Sequence, residues 1–171
     1  DQGWALLSGR LAEMGRRLAD AGLRLAYHHH MGTVVETGAE VDRLMATTGP
    51  EVGLLLDTGH LTLAGGDPVA AAARHAGRVV HVHCKDVRGA VMPLVRDRNL
   101  SYLDAVLEGV FTGPGDGIVD FAAVLPPQLR QGYAGWLVVE AEQDPARAHP
   151  LTYARLGHDN MARVLERATA G

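Results

Sequence analysis

Cysteine is almost absent: the 171-residue chain has one, Cys84. A single thiol cannot close an internal disulfide or build a cysteine-rich structural zinc site, so the sequence points to a reducing, cytoplasmic setting. An excess of positive charge is missing too. With 16 Lys and Arg against 20 Asp and Glu, the formal net charge is -4, which offers no electrostatic footprint for nucleic acid or an anionic membrane. No apolar run approaches the roughly 18 to 20 residues of a membrane span, and the N-terminus lacks the charged-then-apolar pattern of a secretion signal. Apolar residues are plentiful at 47 %, enough for a real core in a single domain, expected to span residues 1–171.

Four apolar runs each end in a cluster of ionisable residues: LRLAYHHH (23–30), VGLLLDTGH (52–60), RVVHVHCKD (78–86) and GWLVVEAEQD (135–144). In parallel α/β folds the carboxyl ends of the strands converge on one face, where ligands bind. The recurrence therefore implies one polar site at one end of a sheet, which reads as an enzyme.

The segments between these runs carry helical periodicity. Leu6, Leu7, Leu11, Met14 and Leu18 recur at three- and four-residue steps, giving one apolar stripe, and Gly22 follows as a helix-ending glycine. Strands are predicted at 23–28, 52–56, 79–83 and 136–140. Helices are predicted at 39–46, 68–76, 99–109, 121–131 (capped by Asp120) and 153–168, with a Gly-Gly-Asp-Pro turn at 65–68 and a glycine-rich loop at 112–117. The order αβαβαβαβα argues for parallel strands with helical crossovers. Four strands do not close a (β/α)8 barrel, which needs about 250 residues. The expectation is the carboxyl-terminal part of such a barrel, about four βα units, without its N-terminal strands; a small open α/β sheet is the alternative.

Alternation along a strand puts His28 and His30 on one face, His81, His83 and Lys85 on one face, and Glu140 and Glu142 on one face. Asp57 closes its run with His60 three residues on. One such residue alone is ordinarily a hydrogen-bonded structural group or a helix cap. Several ionisable groups in one crevice are costly to desolvate unless a cation satisfies them, so together they point to a metal or catalytic site. Imidazole with carboxylate suits Mn, Co, Fe, Zn or Mg, in the open kind of site that polarises a substrate oxygen.

Weaker features have plainer readings. Pro114 to Gly117 lacks a P-loop's flanking strand and lysine, so it shapes a loop over the site. Trp4 and Trp136 read as residues buried in contacts, and Arg88, Arg96 and Arg98 as a solvated face. Lys85 is either catalytic or ion-paired with Asp86 or Glu142, and Arg88 either binds substrate hydroxyls or sits at a helix start.

The strings YHHHMGTVVET (27–37), LLLDTGH (54–60), HVHCKDVR (81–88), GVFTGPGDGIVDF (109–121) and GWLVVEAEQDP (135–145) resemble the inosose dehydratases, the 2-keto-myo-inositol dehydratases of inositol catabolism. That family belongs to the xylose-isomerase-like (β/α)8 superfamily of sugar isomerases and epimerases. The likeness runs from Leu23 to Tyr153. It implies a divalent ion, Mn or Co with Mg or Zn as alternatives, held by Asp57, His83 and Glu140. Where the superfamily commonly has a first glutamate ligand this chain has the histidine triplet, so His28 takes that place, with His30 and Glu36 as lesser candidates.

The reaction implied is loss of water from 2-keto-myo-inositol to give a trihydroxycyclohexane-dione. Glu142, Lys85, His60 and His30 are the proton-transfer candidates, with acid and base not distinguished, and His81 and Arg88 are the substrate-binding ones. Glutathione as a thiol participant is a further family expectation; the expected partners are a small-molecule cyclic keto-polyol and, as a homo-oligomer, further copies of the chain. The alternatives are a sugar isomerase or epimerase of the same superfamily, or an inactive half-barrel binding module.

Overall fold

The computed structural model of the protein describes residues 1–169. Its elements run α1 (Gln2–Asp20), β1 (Leu25–His28), α2 (Gly38–Thr47), β2 (Val52–Asp57), α3 (Thr58–Leu63), α4 (Pro68–Arg74), β3 (Val79–Val87), α5 (Met92–Asp97), α6 (Tyr102–Leu107), β4 (Phe111–Thr112), α7 (Phe121–Arg130), β5 (Leu137–Glu140) and α8 (Pro150–Thr169). Strands β1, β2, β3 and β5 lie side by side in that order, every pair parallel. The short β4 pairs antiparallel with the last two residues of β3.

The β2 run is covered on both faces, as its unbroken apolar sequence requires, whereas β1 and β5 are half-buried along their length. Val52, Leu54, Leu56, Val79 and Val82 are buried in one core with Val41, Leu44, Val124 and Leu125 from the surrounding helices. A smaller core under α5 and α6 gathers Val87, Val95, Val106, Val110 and Phe111. In the outer layer α7 packs against both α4 and α8, and buried Gln128 donates to the Ala72 carbonyl across the first of these contacts. Among the described residues, no helix is long and apolar enough to cross a membrane.

Helix starts follow their side chains. Thr37 and Glu40 form a capping box on α2, and Asp67 caps α4 with Pro68 in its first turn. Asp120 caps α7 as the sequence predicts. Gly22 adopts φ +74° just beyond α1, where its N–H reaches the Ala19 carbonyl and the Leu23 N–H reaches that of Leu18.

The structure departs from the sequence reading in several places. The α1 stripe splits: Leu7 and Leu11 face the core, while Leu6 and Met14 are exposed. The closest approach is made by small residues instead. Ser8 meets Thr47 at 2.8 Å, and a Cβ on Gly15 would lie 2.4 Å from the Glu51 carbonyl oxygen. Trp136 is 76 % exposed and contributes its backbone carbonyl, which accepts from Val82 N–H. Only Trp4 packs against the core. Strand β3 continues past the expected residue 83 to Val87, because β4 extends its pairing. Helices α3 and α5 and strand β4, unassigned in the sequence, fill the expected loops.

Candidate metal centre

A register shift between Leu54 and Leu55 sets the geometry of the site. Beyond it Asp57 stands opposite His83, and on the other side of β3 Lys85 stands opposite Glu140. Asp57 then serves two purposes. Its Oδ1 caps α3 by accepting the His60 N–H at 2.8 Å, which turns Oδ2 toward the open end of the sheet. There Oδ2 accepts from His28 Nε2 at 3.3 Å and lies 3.4 Å from His83 Nδ1 and 3.3 Å from Lys85 Nζ. His83 Nδ1 is in turn 3.2 Å from Glu140 Oε2.

Asp57, His83 and Glu140 thus present three donor atoms within 4.8 Å of one another. His83 Nδ1 and Glu140 Oε2 are buried and, despite their closeness, neither is aligned in a hydrogen bond. Donors that converge on a point without bonding one another fit a cation, and this imidazole and carboxylate set is the type that takes a divalent metal. His28 borders the group with its ring centroid 4.9 Å from that of His83. Two further sets meet the same spacing: His28, Asp57 and His60, and His30, His60 and Glu142.

The electrostatics are those of a carboxylate-rich hollow. Burial opposes ionisation of Asp57, but the His28 and His83 rings and the Lys85 ammonium outweigh it and hold the acid well below its usual range. Burial likewise opposes ionisation of Glu140, and His83 and Lys85 bring it down to about 2. Without a metal, the Asp57 and Glu140 carboxylates raise His83 to about 9. Burial, with the Lys85 ammonium adding to it against Asp57, lowers His60 to about 3.

Lys85 is the chain's only lysine, and it is buried. Burial alone disfavours its charge, yet the surrounding carboxylates raise its pKa. Its Nζ donates to Glu142 Oε2 at 2.5 Å and contacts His60 Nε2 at 2.9 Å. Because Nε2 of a neutral His60 accepts from this ammonium, the ring proton sits on Nδ1. Of the two ion-pair partners considered for Lys85, Glu142 is the one found. Asp86 points elsewhere: its two oxygens accept from the backbone N–H groups of Val87, Gly115, Gly117 and Val119. It is the anchor that ties the glycine-rich loop to β3.

His30 reaches the cluster from the turn after β1. Its ring lies 3.6 Å, centroid to centroid, from that of His60, and its Nδ1 is engaged with the Met31 carbonyl. His81 sits one strand repeat before His83, with ring centroids 5.3 Å apart. Arg88 is not brought to the cluster. It pairs with Asp116 and donates to the Gly109 and Phe111 carbonyls and to Thr112, so it braces the β3–β4 connection. Glu36 is also elsewhere, accepting from the Gly32 N–H.

Two contributors escaped the sequence reading. Tyr102, at the start of α6, donates its hydroxyl to Glu142 Oε1, and its ring edges onto His30 at 5.0 Å. Burial and the Glu142 carboxylate raise its pKa. His29 is fully buried, and its Nε2 accepts the Asp57 N–H at 3.2 Å, fixing the backbone that carries Asp57. Burial lowers His29 to about 4. Strand alternation, which turns His29 away from His28 and His30, is the signal that separates it from them. Cys84 also faces away into the core, its thiol pushed up to about 12 by burial.

Parallel strands that deliver imidazoles, carboxylates and one ammonium to their carboxyl ends define an α/β protein with a candidate metal centre at that end of the sheet. The chain belongs to the xylose isomerase-like TIM barrel family, which matches residues 1–164. It is 60 % identical over 161 residues to the rhizopine catabolism protein MocC of Rhizobium meliloti, covering 94 % of this chain and 50 % of that one. It is 46 % identical over 171 residues to the inosose dehydratase of Geobacillus kaustophilus, covering 99 % and 56 %. The chain therefore spans about half the length of these curated relatives. Among solved structures it is similar to a xylose isomerase-like TIM barrel/4-hydroxyphenylpyruvate dioxygenase fusion protein, with TM-score 0.72, 26 % identity and coverage of 96 % and 25 %. It also shares its fold with the IOLI protein solved with a zinc atom, with TM-score 0.58, 18 % identity and coverage of 93 % and 52 %.

Proposed function

We propose that this chain is the carboxyl-terminal, metal-binding part of a (β/α)8 hydro-lyase that removes water from 2-keto-myo-inositol. The observation that carries the proposal is the meeting of Asp57, His83 and Glu140 in one donor set beside a buried ammonium and a second carboxylate. Inosose dehydratases at 46 to 49 % identity support the substrate assignment. Coverage of about half of each relative, together with β1 and β5 each having one paired neighbour in the sheet, supports the assignment to one part of a barrel.

The ligands proposed for the ion are Asp57, His83 and Glu140, with His28 fourth. Mn or Co is the proposed metal, and the cytoplasm the proposed compartment. A bound divalent ion supplies Lewis-acid polarisation of the substrate ketone. The chain's own residues move the protons. Glu142, whose two oxygens accept from Lys85 and Tyr102, takes the α-proton. Lys85 keeps its charge and fixes the direction of Glu142. His30, whose Nδ1 is tied to the Met31 carbonyl, is the proposed acid, giving up the proton of its other ring nitrogen to the departing β-hydroxyl. His81, beside His83, is the proposed substrate contact, whereas the bracing bonds of Arg88 favour a structural role for that residue.

A mass-resolved assay on 2-keto-myo-inositol with Mn or Co tests this reading. Loss of one water, abolished by a chelator, is expected. Interconversion without change of mass overturns it in favour of an isomerase or epimerase, and no turnover by the metal-loaded chain overturns it for this chain. The higher identity to MocC, 60 %, favours a second reading in which the chain acts in rhizopine catabolism; the same assay with rhizopine decides between them.

A further inference from the structure

The second donor set, His30, His60 and Glu142, is a complete three-ligand group by spacing, yet a positive charge already stands in it. Lys85 Nζ lies 2.9 Å from His60 Nε2 and 2.5 Å from Glu142 Oε2, and 3.0 Å from Glu140 Oε2 and 3.3 Å from Asp57 Oδ2. Three carboxylate oxygens and one imidazole nitrogen surround it, an arrangement that a cation of either kind could occupy.

The ammonium is held there by shape as well as charge. Its stem crosses Gly59 so closely that a Cβ would meet Lys85 Cγ at 2.6 Å and Cδ at 2.8 Å, and Nζ stands 5.0 Å from the centre of the Phe111 ring. Charge counting agrees. Asp57, Glu140 and Glu142 carry three negative charges, which one ammonium and one divalent ion neutralise; a second divalent ion beside Lys85 would be repelled by both.

We propose that Lys85 is a built-in second cation: it limits the centre to one divalent ion, bound by Asp57, His83 and Glu140, and its removal opens a second divalent-cation site on His30, His60 and Glu142. This rests on the metal-centre reading but not on the identity of the substrate.

The test is zinc stoichiometry, by equilibrium dialysis and elemental analysis, of the chain and of Lys85→Met, which keeps the stem and removes the charge. One zinc per wild-type chain and two per Lys85→Met are expected, with the count returning to one in the Lys85→Met, Glu142→Gln double variant. One zinc in both wild type and Lys85→Met overturns this inference and leaves the metal centre intact, as does two zinc in wild type. No zinc in either overturns the metal centre itself. If Lys85→Met folds poorly, the wild type suffices. With lysine labelled at 13Cε the chain gives one lysine signal, expected to shift up to one equivalent of zinc and then stay fixed; a second saturable shift overturns the inference.

Discussion

Replacing Asp86 by Asn tests the account of the loop that flanks the site. The Asp86 carboxylate is fully buried. Its Oδ1 accepts from Val87 at 2.8 Å and Val119 at 2.9 Å, and its Oδ2 from Gly115 at 2.9 Å and Gly117 at 3.0 Å. Asparagine can keep one oxygen facing one pair of amides, but its NH2 then confronts the other pair, donor against donor. Hydrogen bonds to a charged acceptor contribute about 1.5 to 3 kcal/mol each. Two are lost, with some recovery through water at the loop surface, so a cost of about 3 kcal/mol is expected. For a chain of this size each kcal/mol lowers Tm by roughly 2 to 4 °C, placing the shift at about 6 to 12 °C. Urea unfolding followed by circular dichroism measures the cost, and hydrogen exchange at Gly115 and Gly117 localises it. A variant within about 0.5 kcal/mol of wild type, or one that exchanges no faster at these two amides, refutes the anchoring role.

Glu142→Gln should retain one metal ion per chain while slowing turnover by roughly 10² to 10⁴, the usual worth of a general base; loss of the ion in elemental analysis would instead make Glu142 a ligand. Tyr102→Phe keeps the ring against His30 and removes the donor to Glu142, so kcat should fall with Tm and metal affinity unchanged, whereas a fall in Tm alone would mark the tyrosine as structural. The metal-free chain should lose stability on the alkaline side. His83 has a folded pKa raised to about 9, so its contribution is complete below the unfolded value of about 6.5 and disappears as pH rises through about 9. Urea midpoints of chelated protein should therefore fall between pH 7 and 9, while those of metal-loaded protein, whose His83 is already deprotonated by the ion, should not. Equal slopes for the two forms would contradict this.

The strands and the donor cluster were legible because both are written locally. Runs such as VGLLLD are continuous where both faces are covered, and the ionisable residues follow directly at their ends. What escaped was set by distant partners. Tyr102 joins the site through a hydrogen bond to a residue 40 positions away, across a connection whose helix signals name no target. Asp86 and Lys85 are adjacent in sequence but opposed in role, one serving backbone amides and the other the site, and only the path of residues 113–119 decides between them. The α1 stripe misled because closeness to residues 47–51 selects Ser8 and Gly15, not the largest apolar side chains. Trp136 misled for the converse reason: its hydrophobicity is local, whereas its exposure depends on what stands outside the β5 end of the sheet.

The central claim, that Asp57, His83 and Glu140 converge to hold one ion, is tested most directly by anomalous X-ray diffraction at the metal edge from crystals grown with Mn or Zn. The account requires a single anomalous peak bounded by Asp57 Oδ2, His83 Nδ1 and Glu140 Oε2, at roughly 2.0 to 2.3 Å from each ligand atom. A peak centred on His30, His60 and Glu142, or none at the carboxyl ends of the strands, would contradict it.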